Sequence, residues 1–451
     1  HLPAANPFAA AATPVLAPCP VRIVDAPGLA MTYAQETDLA RPQVAYRFYI
    51  NPGTTTLDAR ATARLVLFQT FLQLSLQDLE ADAGAAGIQY GIEADAGLFI
   101  SVSGYSGSAE RFLEQLVERA ATLSIDERTF AAVREQVAAA LASFPRSEAF
   151  QNGRARMRAL AETPAFLPSD LLDAARTLTR QEVLDTISDL FSTGQIDGIA
   201  CGNVAPAEAA RLARLLRSRL HSGPAAPDEI VRRRRLQRAA GETIVDTATL
   251  PGPNSFVLLS YGYPADTPEL RAAAGLIGNF IADDFYADLR THQQLGYVVG
   301  ANSNTDSPSL HTYGIVQSAE YPSDELRRRI EAYFADLGRR WAALTPEQFA
   351  TLREGLRSQL SVKPNNAAER ADRLFALAYD FDGAWQQTPA TLDALARLTP
   401  ARVGPLVPER GAPAPRRLGV IQLTSKDHIM KDAPVPTFTD REAWKQTRTY
   451  R

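Results

Sequence analysis

Histidine, cysteine and methionine are scarce in this sequence. Its 451 residues include five histidines, two cysteines and three methionines. His1, His221, His292, His311 and His428 are scattered, and none has a second histidine three to five residues away. Zinc motifs of the H-E-x-x-H or inverted H-x-x-E-H kind need two imidazoles about one helical turn apart, with a glutamate on the same face. Neither motif exists here. Cys19 and Cys201 could form one bridge, but no C-x-x-C pair is present, which excludes a disulfide-stapled framework and the usual thiolate metal sites. There is no G-x-S-x-G elbow and no Walker loop. No run of about twenty apolar residues occurs, so no membrane-spanning helix is expected. Charge of one sign is also lacking. The 47 basic and 51 acidic side chains leave a formal charge of -4, so neither nucleic acid nor an anionic membrane is an expected partner. The run Arg232-Arg233-Arg234-Arg235 is read as solvated surface beside a strand, because no aromatic–basic pattern accompanies it.

What is present is a repeated series of elements. The length implies two to four domains. A Pro- and Ala-rich stretch over residues 1–22 reads as an extended arm or linker. The start, His1-Leu2-Pro3, shows no basic n-region or apolar h-region. It reads as the middle of a longer gene product, or as a processed or separately supplied subunit. Residues 44–50 then form a strand pattern. Leu65, Phe68, Leu72, Leu76 and Leu79 share one helix face. Residues 87–92 and 98–105 predict a strand pair, with Tyr105 as a packing aromatic. A helix with Phe112, Leu116 and Ala120 inward follows. Ser124 and Glu127 then predict a capping box for a further helix carrying Phe130, Val133, Val137 and Leu141.

The same order returns about 210 residues on. A strand over 255–260 precedes a long helix with Leu276, Phe280, Phe285 and Leu289. Strands over 296–299 and 310–317 and a helix with Ile330, Phe334 and Leu337 follow. Thr345-Pro346-Glu347-Gln348 starts the closing helix, with a capping Thr and Pro at the first helical position. The closing helices even share letters, Phe-Ala-Ala-Val-Arg-Glu at 130–135 beside Phe-Ala-Thr-Leu-Arg-Glu at 349–354. The prediction is an α+β chain of two homologous domains, each a mostly antiparallel sheet with helices packed on one face. Their spans are 23–225 and 226–430, with the boundary at 221–229 or in the arginine run, and a tail over 431–451. Lys426-Asp427-His428 is read as exposed. Gly194, Gly198 and Asp197 before Cys201-Gly202-Asn203 read as a strand and turn.

One stretch carries a resemblance. Residues 285–299 read Phe-Tyr-Ala-Asp-Leu-Arg-Thr-His-Gln-Gln-Leu-Gly-Tyr-Val-Val. They resemble the L-R-T-x-x-Q-L-G-Y-x-V signature in the zinc-free C-terminal half of pitrilysin- and insulysin-type M16 metallopeptidases. Ile315-Val316-Gln317-Ser318 before Pro322 resembles that family's Q-S-x-x-x-P strand end. His1-Leu2-Pro3-Ala4-Ala5-Asn6-Pro7-Phe8 resembles the opening of its second half. The resemblance implies the M16 peptidase fold, with this chain as domains three and four. It implies a zinc-bearing N-terminal half as partner, from the same gene product or a separate subunit, and peptides as substrates. Zinc would sit in that partner half and none in this chain. It also implies that Arg290 and Tyr297 act on the bound peptide near the scissile bond, in a catalytic and substrate-binding role. A guanidinium is a rigid fork of donors suited to carbonyls or a carboxylate. A tyrosine hydroxyl can donate to an oxygen that gains negative charge.

Gly296 is expected to permit close backbone approach or an unusual dihedral. Gln293 and Gln294 are either polar lining, Gln294 as a substrate-binding residue, or helix-end caps. In the first copy Tyr90 parallels Tyr297, while Ala83 stands where the arginine would be. Two alternatives stay open: a non-catalytic scaffold or interaction subunit of the same fold, and a factor that cuts a small cofactor-precursor peptide. The compartment stays open between bacterial periplasm and cytoplasm, with the periplasm favoured.

Overall fold

The structure, a computed structural model, describes residues 20–35, 41–53, 57–220, 223–224, 226, 229–408 and 417–451. His1, Cys19, His221, nearly all of the expected N-terminal arm and most of 221–229 lie outside the described residues, so a Cys19–Cys201 bridge is not addressed. The chain forms two compact units.

In chain order, the first stretch carries β1 (Val21–Ala26), β2 (Leu29–Gln35), β3 (Gln43–Pro52), α1 (Ala59–Ser75), α2 (Gln77–Ala85), β4 (Gln89–Ala94), β5 (Leu98–Tyr105), α3 (Ser108–Ala121) and α4 (Glu127–Ser143). Next come α5 (Ala149–Ala161), β6 (Glu162–Thr163), α6 (Pro168–Thr177), α7 (Arg180–Leu184), β7 (Gly194–Gly202) and α8 (Pro206–Arg219). The second stretch carries β8 (Arg234–Arg235), β9 (Thr243–Leu250), β10 (Ser255–Gly262), α9 (Pro268–Phe285), β11 (Val298–Asn304), β12 (His311–Ser318), α10 (Ser323–Ala342) and α11 (Pro346–Leu360). It closes with α12 (Ala367–Phe375), α13 (Gln387–Arg397), α14 (Pro400–Val403), β13 (Leu418–Ser425) and α15 (Arg441–Gln446).

The two sheets repeat one topology. The first runs β1-β2-β7-β3-β5-β4, the second β9-β13-β10-β12-β11. In each, one parallel pair (β2 with β7, β9 with β13) precedes three antiparallel pairs. The first sheet adds β1 at its edge. Side chains alternate across a strand, and here both alternations are apolar. On β10, Val257 and Leu259 enter the core beneath α9 and α10, while Phe256 and Leu258 enter a separate cluster on the other face. On β3, Val44, Tyr46, Phe48 and Ile50 face the main core, and Ala45 the other side.

That second face is covered by an exchange. The first unit is built from residues up to Ala142, from Pro164–Arg233 and from Lys363–Trp385. The second holds Ser143–Thr163, Arg234–Val362 and Gln386–Arg451. Thus α5, which follows the first copy's α4, packs on β10 and β13 of the second unit. The equivalent α12, which follows α11, packs on β3 and β7 of the first. Each exchanged helix is tied by an Arg–Asp pair of opposite sense. In the first unit Arg47 on β3 pairs with Asp372 on α12. In the second, Asp246 on β9 accepts two bonds from Arg156 on α5, at 2.9 and 3.1 Å. A methyl on Gly153 of α5 would overlap the ring of buried Phe256, so this helix rides on a glycine.

Local expectations hold in part. Thr345 caps α11: its hydroxyl accepts from Gln348 N at 3.2 Å, and Gln348 Oε1 accepts from Thr345 N at 2.9 Å. At α4 the cap is Asp126, whose Oδ1 accepts from Thr129 N at 2.9 Å, and not the expected Ser124. Tyr105 is 51% exposed rather than packed. The arginine run is engaged with the fold: Arg232 lies 3.8 Å from Asp197, Arg233 pairs with Asp95, and β8 pairs with β6. The C-terminal segment is docked as well. Phe438, Trp444 and Tyr450 pack against the α5 cluster. His428, expected in an exposed tail, is half-buried and bonded through both ring nitrogens, to Ser255 Oγ (2.8 Å) and to the Ala319 carbonyl (2.9 Å).

Candidate functional site

The signature stretch lies within the second unit. The helix does not stop at Phe285. It unwinds into a wider π-helical turn, Tyr286–His292, a form that is rare and often found at functional sites. Leu289 is fully buried and fixes one side of the turn. Arg290 follows it, half-buried, at the rim. The chain then reverses at Gln294, whose φ is 53°, a conformation few non-glycine residues adopt. Leu295 returns to the core and its N–H reaches the Leu289 carbonyl at 3.0 Å.

Gly296 comes next, against the neighbouring strand, where an added methyl would overlap the Gln317 carbonyl oxygen. Of the two roles expected for it, close approach applies, and the unusual dihedral belongs to Gln294. Tyr297 stands one residue before β11, not on it, and is 86% exposed. Gly296 thus lets the backbone meet β12 closely while Tyr297 is turned outward.

These residues line one groove of about 570 Å³. Its lining includes Tyr286, Arg290, Gln294, Gly296 and Tyr297 from the signature stretch, with Asn254, Ser318 and Glu320 at or near strand ends. All four expected site residues therefore come together. Neither Arg290 nor Tyr297 has a side-chain partner among the described residues. Gln293 is the helix-end cap: its Nε2 donates to Asp288 Oδ1 and its N–H to the Asp288 carbonyl, both at 2.9 Å. Gln294 is exposed and lines the groove.

The groove walls have supports that the sequence reading missed. Arg340 on α10 donates to Asp284 Oδ2 at 2.7 Å, to Asp288 Oδ2 at 2.8 Å and to Asp336 Oδ2 at 3.0 Å. Tyr333 also donates to Asp284, at 2.8 Å, and burial pushes its hydroxyl pKa well up. The spacing of Asp284, Asp288, Asp336 and Arg340 was visible in the sequence, but acidic and basic residues at helical spacing are ordinary surface pairs. Behind Ser318, His428 ties the start of β10 to the end of β12.

No group of three His, Cys, Asp or Glu side chains placed to hold a metal occurs among the described residues. These residues therefore do not fit a zinc ion. His292 is exposed at the end of the π turn, and burial drives the pKa of His311 down to about 4. No helix among the described residues is long and apolar enough to cross a membrane.

Known proteins share both the sequence and the fold. Residues 1–174 match a family described as the middle or third domain of peptidase M16. Residues 276–375 match one described as PQQ synthase PqqF-like, C-terminal lobe domain 4. Protease 3 of Salmonella typhi is 23% identical over 371 residues, which cover 80% of this chain and 37% of that protein. Human insulin-degrading enzyme is 23% identical over 375 residues, covering 81% and 37%. The crystal structure of pitrilysin superposes with a TM-score of 0.86 at 21% identity, over 96% of this chain and 47% of that one. The chain thus spans less than half the length of the relatives it matches. It belongs to the M16 peptidase family, whose middle or third domain residues 1–174 match, while residues 276–375 match the PqqF-like C-terminal lobe domain 4.

Proposed function

We propose that this chain is the substrate-binding half of a zinc-dependent peptidase, with the metal and the general base supplied by a separate zinc-bearing half. The observation that carries the reading is Arg290: a half-buried guanidinium without a side-chain partner among the described residues, lining a groove beside an outward tyrosine. An arginine held without a carboxylate keeps its donor fork open for a ligand, and peptide carbonyls or a carboxylate match that fork. Arg290 orients the peptide. The Tyr297 hydroxyl donates to the carbonyl oxygen as negative charge develops on it, an interaction stronger in the transition state than in the ground state.

The test is to assay the chain alone against a mixed peptide pool and then with a zinc-bearing M16 half. Activity is expected only in the second case. Chelator-sensitive turnover by the lone chain overturns the reading, and so does unchanged turnover of the assembled pair after both Arg290→Ala and Tyr297→Phe. The second outcome is the one expected of a non-catalytic scaffold.

A narrower second reading rests on the match of residues 276–375, which include Arg290 and Tyr297, to a domain described from a PQQ synthase. On that reading the groove takes a small cofactor-precursor peptide rather than unfolded segments in general. Turnover of such a precursor that a random peptide pool fails to inhibit supports it; equal competition by the pool removes it.

A further inference from the structure

We infer that Asp288 is a positioning residue: held between Arg340 and Gln293, it sets the π turn so that Arg290 points into the groove. The inference rests on the reading of Arg290 given above.

The geometry is specific. Asp288 sits inside the π turn, two residues before Arg290. Its two carboxylate oxygens have different partners, Oδ2 taking Arg340 Nη2 at 2.8 Å and Oδ1 taking Gln293 Nε2 at 2.9 Å. Its backbone carbonyl accepts the Gln293 N–H at 2.9 Å. One residue therefore links the turn to α10 at its start and to the chain reversal at Gln294 at its end. Arg340 is immobilised in turn by Asp284 and Asp336, and its guanidinium lies over the Tyr333 ring at 4.9 Å.

A lone surface pair would contribute little. Here the cation bridges three carboxylates and the middle one also braces the loop, so the array fixes a direction as well as a distance. The π turn needs such bracing. Its wide hydrogen-bonding pattern is less favourable than an α-helix, and among the described residues no hydrogen bond or ion pair holds the Arg290 side chain from the other side. A displacement of about 1 Å in a group that orients substrate can cost up to a hundredfold in rate.

Asp288→Asn is the suitable probe. Asparagine keeps the size but removes the negative charge that Arg340 pairs with, and it can meet both neighbours only if the Gln293 amide turns over to accept from its Nδ2. The experiment is a double-mutant cycle on the full chain assembled with a zinc-bearing half, using Asp288→Asn, Arg290→Ala and the pair, with kcat and KM measured separately. Asp288→Asn is expected to lower kcat/KM about fivefold to tenfold when Arg290 is present, and to have no further effect when it is absent. Asp288→Glu, which restores two acceptors, is expected to recover part of the loss. An equal fivefold loss in both Arg290 backgrounds overturns the inference while leaving Arg290's role intact. No effect of Arg290→Ala itself overturns both, and so separates the two failures. An unchanged kcat/KM in Asp288→Asn with a normal effect of Arg290→Ala overturns the inference alone.

Discussion

In the first unit the tyrosine just after the α2–β4 turn is half-buried on β4; in the second, the tyrosine that ends the turn between α9 and β11 is exposed. Tyr90 rests on the Phe112 ring, centroids 4.8 Å apart, and burial raises its hydroxyl pKa. Tyr297 is almost wholly exposed. Ala83, in the place of Arg290, is buried in α2. The first turn reverses through Gly87 at φ 71°, a residue suited to that region, whereas the second does so through Gln294 at φ 53°. One strand order therefore supports a closed turn and an open one, and the difference lies in about ten residues. The left-handed Gln294 and, among the described residues, the partnerless side chains of Arg290 and Tyr297 lie together at the groove, as expected where a fold gives up local stability for a site.

The largest contrast should come from Gly296. Gly296→Ala must push β11 off the Gln317 carbonyl, with turnover of the assembled enzyme falling about a thousandfold and the groove wall loosening in hydrogen exchange. Gln89→Ala, at the parallel position on exposed β4, should change neither. Next come the donors. Tyr297→Phe should lower kcat about a hundredfold without moving Tm, whereas Tyr90→Phe should leave kcat alone. A kcat loss in Tyr90→Phe would erase the distinction between the copies.

The ion pairs on the exchanged helices separate the units by pH. Arg156→Ala strands Asp246, which is buried and whose pKa burial already raises. A carboxyl with a raised folded pKa destabilises as pH rises from the ordinary carboxylate range through that raised value. The variant should therefore lose about 2 kcal/mol at neutral pH and recover much of it in acid. Asp372→Asn strands Arg47 instead, which cannot shed its proton, so its smaller penalty should be flat between pH 4 and pH 7, an interval of about three units. Denaturant titrations at the two pH values test both. The smallest effect expected is Gly153→Ala, about 1 kcal/mol: overpacking against Phe256 is partly offset by alanine's better helix propensity. It should weaken the second unit only.

Much of this is legible in the sequence alone. The duplication shows because both copies keep the same order of periods, two for strands and three to four for helices. The groove shows because Arg290, Gly296 and Tyr297 sit in a recognisable stretch. Other features leave weaker traces. Phe285 and Leu289 keep helical spacing through the π turn, so periodicity does not mark where the helix widens. Ser124 and Asp126 can each cap α4, and only the backbone path decides. An amphipathic pattern in α5 or α12 states that one face is buried, not which sheet buries it. His428 looked like part of a tail because its partners, Ser255 and Ala319, are more than a hundred residues away.

The exchange of α5 and α12 bears on the chain's history as much as on its packing. A single copy standing alone would leave one sheet face bare and one helix without a seat. Two identical copies could satisfy each other only by trading helices, as domain-swapped dimers do. Fusing them in tandem converts a concentration-dependent association into a permanent one. It also means that a genetic cut between the two sheets, after β7 and before β9, does not return two self-sufficient pieces: it separates each sheet from the helix that covers it.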